Sequence, residues 1–192
     1  MSKSDSETAK RKRNQAIRWV VTIFLVTITI TAIISFISEE IMAYSSMLVA
    51  FIILIVIVMI GITFDIIGVA VTSANERPFH SMAARKVPGS MEAIRLLRKA
   101  DRVSSICNDV IGDVCGVVSG SASATIAMQV LQHFEADWEH FIPLMMSSLV
   151  AGLTVGGKAL CKDFAIKSST KIVTLTGKVI YLLRRLFCFG KR

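Results

Sequence analysis

Residues 47–72 run for 26 positions with one charged side chain, Asp65, and that stretch constrains the chain more than any other feature. In hydrocarbon a backbone N–H or C=O finds no water, so such a run must be a helix that satisfies its own amides. At about 1.5 Å per residue it is long enough for a bilayer core of about 30 Å. Residues 19–37, rich in Thr and Ile, meet the same requirement. Two further runs are less pure. Residues 103–131 carry Asp109, Asp113 and the small-residue tract Ser119-Gly-Ser-Ala-Ser-Ala124, and residues 141–157 are about the shortest that can span. The sequence predicts an all-α membrane protein with four transmembrane helices.

Composition points the same way, since 53% hydrophobic residues and a mean hydropathy of +0.62 are unusual for a soluble domain of 192 residues. The basic start resembles that of a signal peptide, but the run after it meets Glu39 and Glu40 instead of a small-residue cleavage site, so the first helix is expected to be retained. Cys107, Cys115, Cys161 and Cys188 all fall outside the segments expected to be extracellular, which excludes a disulfide framework.

Orientation follows from charge, because Lys and Arg close to membrane helices stay on the cytoplasmic side. Of the 22 basic residues, six precede Trp19, seven lie within 74–102 and nine lie from Lys158 onward. The loops 38–46 and 132–140 hold none, and carry Glu39, Glu40, Glu135, Asp137 and Glu139. Four crossings of a cell membrane with both termini in the cytosol accommodate this partition; three or five do not. The net charge of +8 is thus explained by anionic lipid and membrane insertion, and no nucleic-acid partner is expected.

Two cytosolic segments remain. Within 74–102, Pro78 and the turn Val87-Pro-Gly-Ser90 punctuate two short juxtamembrane helices, the second with Met91, Ile94 and Leu97 opposite Arg95, Arg98 and Lys99. Residues 168–188 set Lys171, Lys178 and Arg185 against Ile172, Leu175, Val179, Leu182 and Leu186, the pattern of a C-terminal interfacial amphipathic helix. Capture of that helix by a calmodulin-like partner is the sharper alternative.

The chemistry is carried by carboxylates. Asp65, Asp109 and Asp113 all fall roughly 10 to 15 Å in from the cytosolic surface by helical rise, and Asp109 and Asp113 share a face. An intramembrane carboxylate is costly unless protonated, paired or bound to a cation. Three at one depth could offer hard oxygens to Mg²⁺, with Asn108, Ser104 and Ser105 adding neutral ones, or relay protons. Pairing with Lys158 and Lys162 is the competing structural reading.

Gly112, Gly116 and Gly120, with Ser119 and Ser123 beside them, and Gly152 with Gly156, recur at four-residue intervals and predict close helix approach, within the chain or in a homodimer. His80, His133 and His140 lack ligand spacing with each other or with cysteine. No nucleophile triad, phosphate loop or dinucleotide turn occurs, so no catalytic residue and no enzymatic activity is expected.

From Phe64 onward the order of features resembles the transmembrane module of the CorC/CNNM family of magnesium-linked membrane proteins. Val69-Ala-Val-Thr-Ser-Ala-Asn75 resembles the end of that module's first helix. Ser81-Met-Ala-Ala-Arg-Lys-Val-Pro-Gly89 and Ala93-Ile-Arg-Leu-Leu-Arg-Lys-Ala-Asp-Arg102 resemble its short cytosolic helices. Asp109-Val-Ile-Gly-Asp113 falls where the family has two asparagines four apart, and Gly157-Lys-Ala-Leu-Cys-Lys162 where it has Gly-Glu-x-x-Pro-Lys. Gly68 stands at the family's first acidic position, Lys158 at its glutamate and Cys161 at its proline, and the paired nucleotide-binding modules are missing from the sequence.

The resemblance implies a membrane module over 47–167, preceded by a basic segment 1–18 and an additional helix 19–37, and followed by a basic segment 168–192. It further implies Mg²⁺ as a bound or transported ion, with Asp109 and Asp113 at the family's metal-coordinating positions; Asp65 and Asn108 join them as candidate metal-facing residues by their depth and proximity. The rival reading is a membrane scaffold or regulatory subunit that keeps the fold without transport.

Overall fold

The computed structural model describes residues 3–133 and 141–189, which are almost entirely helical with no strand among them. Among the described residues, four helices are long and apolar enough to cross a membrane. The first is Ile17–Met42, inside α1 (Lys3–Ala43), and the second is α2 (Met47–Ser73). The third, Ala100–Leu131, combines α5 (Ala100–Ser105), a π segment (Ile106–Gly112) and most of α6 (Asp113–His133). The fourth is α7 (Phe141–Lys167). Between α2 and α5 lie α3 (Arg77–Ala84) and α4 (Ser90–Leu97), and α8 (Ser169–Phe189) follows α7. The protein is therefore the all-α membrane protein its apolar runs predict. Glu135, Asp137, Glu139 and His140, with the side chains of His133 and Cys188, lie outside the described residues.

Two spans differ from the sequence reading. The fourth continues to Lys167, so Lys158 and Lys162 lie inside it and do not flank its end. A lysine ends an apolar run only when its charge must reach water; the Lys158 ammonium instead finds a carboxylate inside the bundle, and the helix runs on. The third span carries a π segment, in which each backbone bond reaches one residue further and local register shifts.

The helix α2 is the hub of the bundle, packing against α5, the π segment, α6, α7 and α8. Its Ala50 and Leu54 join Met42, Ala122, Ile126 and Val150 in one buried cluster at the end opposite the basic segments. Close approach depends on glycine. A β-carbon at Gly61 would stand 2.9 Å from that of Cys115, and one at Gly157 would stand 2.7 Å from Ile62 Cδ1. By contrast α1 leans on α6 alone among the major contacts, with the Gln129 amide donating to the Met42 carbonyl at 3.1 Å. None of its most apolar stretch is buried, so Phe24, Leu25 and Ile33 are left to lipid.

At the basic end, Phe79, Ala93, Ile94 and Val173 join Ala70 and Val71 in a second buried cluster that seals α3, α4 and α8 onto α2. The α4–α8 crossing is backbone on backbone: a β-carbon at Gly177 would lie 2.5 Å from the Gly89 carbonyl oxygen. Gly89 also takes φ +85°, a conformation strained for any residue with a β-carbon. Glu92 takes Arg95 and Arg184 at 3.8 Å each, and Glu76 takes Arg98 at 3.3 Å and His80 at 3.2 Å. The Arg102 guanidinium sits 5.1 Å over the Trp19 ring, tying the base of α1 to α5.

Candidate functional site

Asp65 lies eight residues from the end of α2, and Asp109 and Lys158 lie nine from the basic ends of their spans. Helical rise puts all three at one level, roughly 12 to 14 Å in. There they line a cavity of about 420 Å³ between α2, the π segment and α7, with Asn108, Asp113, Cys161 and Lys162. All four sequence-predicted metal-facing residues, Asp65, Asn108, Asp109 and Asp113, thus meet at one place.

They are not equivalent. Asp65 Oδ2 accepts from Lys158 Nζ at 2.9 Å, both side chains being largely buried, at 16% and 28% exposure. Its other oxygen, Oδ1, rests against Gly112, where a β-carbon would overlap it. Asp109 and Asp113 are exposed on the cavity side, separated by one turn across the end of the π segment. Asn108 is tied down: its Nδ2 donates to Ser104 Oγ at 3.2 Å, and its buried Oδ1 is pressed onto Gly68, where a β-carbon would overlap it. Ser104 thus serves as a support for Asn108. Among the described residues no group of three or more His, Cys, Asp or Glu side chains stands close enough to hold a metal ion.

Two expectations are resolved in detail. Of the pairings left open between three aspartates and two lysines, the structure makes Lys158 with Asp65, across α2 and α7. Of the stripe Gly112, Gly116, Gly120, only Gly112 is in close contact. A β-carbon at Gly116, Gly120, Gly152 or Gly156 would meet nothing within 4 Å, and the groove between α6 and α7 is an open cavity of about 450 Å³. The close-packing glycines of the spans are instead Gly61 and Gly68, isolated in sequence, and Gly157, which stands just after Gly156. An isolated glycine within a helix costs about 1 kcal/mol relative to alanine, and that cost is the signal that a neighbour needs the space.

The cavity has one carboxylate more than it has ammonium groups, Asp65, Asp109 and Asp113 against Lys158 and Lys162. That excess favours a cation over an anion. The groove between α6 and α7 continues from the same layer, since Asp113, Val155 and Lys158 line both spaces. No family model, curated protein or solved structure matches the chain.

Proposed function

We propose that this chain is a cation-handling membrane protein of the magnesium-linked kind its sequence resembles, with Asp65, Asp109 and Asp113 as the groups that meet the ion. The observation that carries this reading is the gathering of Asp65, Asp109 and Asp113 around one cavity at span depth, where Lys158 pairs with only one of them. Lys158 occupies the position of a cation. A divalent ion entering from the cytosolic side needs several hard oxygens, so it must draw Asp65 away from Lys158 and recruit Asp109 and Asp113. In this reading both termini are cytosolic and the site opens to the cytosol. The open face of Gly116, Gly120, Gly152 and Gly156 is where a second copy would pack as a homodimer.

The test is the melting temperature of the purified protein with and without millimolar Mg²⁺, followed by Mg²⁺ flux into proteoliposomes. Wild type is expected to gain stability with Mg²⁺ and to show flux, and Asp113→Asn to lose both while remaining folded, because among the described residues Asp113 has no ion-pair partner to strand. A wild type indifferent to Mg²⁺ in both assays overturns the proposal in favour of the scaffold, in which the same ion pair simply joins α2 to α7.

A further inference from the structure

Successive residues of α8 are about 100° apart around the helix axis, and this divides the helix into three strips. Ser169, Val173 and Gly177 are buried against α4 and its neighbours, with Arg184 on the same strip reaching Glu92. On the far side lie Leu175, Val179, Leu182, Leu183 and Leu186, exposed by between 47% and 72%. Lys171, Lys178 and Arg185 fall within about 40° of one another along one border of this leucine strip, and all three are exposed. At seven-residue spacing they make a row of positive charges about 10 Å apart.

A helix docked through small residues has no need of a five-residue apolar strip on its opposite face. That strip begins about two turns after α7 ends, just beyond Val173, which is buried with Ala70 and Val71 near the end of α2. An apolar face at that level, bordered by a row of cations, complements one surface in particular: acyl chains beneath anionic headgroups. We propose that α8 is a recognition element for anionic phospholipid in the cytosolic leaflet, its leucine strip entering the acyl boundary and Lys171, Lys178 and Arg185 binding headgroup phosphates. Glu92, Gly89 and Gly177 hold it to α4 from the other side, so lipid binding steadies the α4–α8 crossing.

The experiment is hydrogen exchange of α8 amides in the full chain, reconstituted in nanodiscs of phosphatidylcholine alone or with about one third phosphatidylglycerol. Three basic residues near an anionic surface correspond to roughly a hundred-fold preference for the anionic leaflet. Amides from Leu175 to Leu186 are therefore expected to exchange many-fold more slowly in the anionic discs and to lose that protection at high salt. The triple variant Lys171→Gln, Lys178→Gln, Arg185→Gln alters only exposed side chains and should abolish the difference while α8 stays docked, as shown by unchanged exchange at Val173. Equal exchange in both lipids overturns the proposal. So does lipid-dependent protection that survives in the triple variant, or protection that rises with protein concentration in phosphatidylcholine, which would assign the strip to a second copy. Protection that depends on an added soluble protein and not on lipid charge also overturns it.

Discussion

Asp65 and Lys158 are the two residues on which the interior of the bundle turns. A charge taken out of water without a partner costs several kcal/mol, so each makes the other tolerable. Because both keep some exposure, removing one partner is expected to cost about 2 kcal/mol, below the range for fully buried pairs. Asp65→Asn and Lys158→Gln should each lower the denaturation midpoint in detergent, whereas the double variant should recover most of the loss. A thermodynamic cycle showing simple additivity would mean that the pair contributes no coupling. The apolar run 141–157 stopped short of Lys158, whose helix continues to Lys167, but that the three aspartates belong to one layer was legible from their distances to the ends of the apolar runs. Which aspartate Lys158 chooses was not. Depth follows from counting residues along a helix, but the partner depends on how helices are rotated about their axes, and that is set by contacts such as Gly157 against Ile62.

At the scale of the helices, two sets of glycines behave differently for one physical reason. Gly116 and Gly120 on α6 face an open groove and a β-carbon at Gly152 or Gly156 of α7 would meet nothing within 4 Å, whereas Gly68 on α2 abuts the Asn108 amide. Gly68→Ala is therefore expected to force Asn108 out of its place on the π segment and to lower protomer stability by about 1 to 3 kcal/mol. Gly116→Leu places its side chain where the protomer has no atoms, so the melting temperature should barely change; any loss it causes should show as a lower dimer fraction in cross-linking. Destabilisation by Gly116→Leu in a protein that is monomeric throughout would place an unseen contact within the protomer. Helix number and the two short helices at the basic end were readable from apolar runs, Pro78 and the Val87-Pro-Gly-Ser90 turn. The π segment was not, since an extra residue in a turn changes neither hydropathy nor length appreciably.

For the molecule as a whole, the arrangement of charge makes a claim about the membrane that can be tested directly. Helices α3, α4 and α8, with the adjoining ends of α2, α5 and α7, gather at one end of the bundle, and the short α1–α2 turn lies at the other. Of the 22 basic residues, six precede Trp19, whose ring lies against Arg102 at the gathered end, the seven of 74–102 and the five from Lys167 to Arg185 belong to segments at that end, and Lys191 and Arg192 lie outside the described residues. Lys158 and Lys162 are the exceptions, lying within α7, and Lys158 is compensated there by Asp65. Reversing this arrangement would carry more than a dozen cations across the bilayer, each of the lysines and arginines opposing transfer. Reporters fused at Asp5, Arg85 and Arg192 are therefore expected to read the cytosol, and one at Asp137 the outside. The Asp137 site discriminates best, because α6 and α7 are the two spans whose apolar character is most diluted by small and charged residues. If that hairpin failed to cross, Asp137 would report cytosol while the other three sites reported the same side as before. The cavity lined by Asp65, Asp109, Asp113 and Lys158 would then lie outside the hydrocarbon, and the physical reason for pairing its charges would disappear.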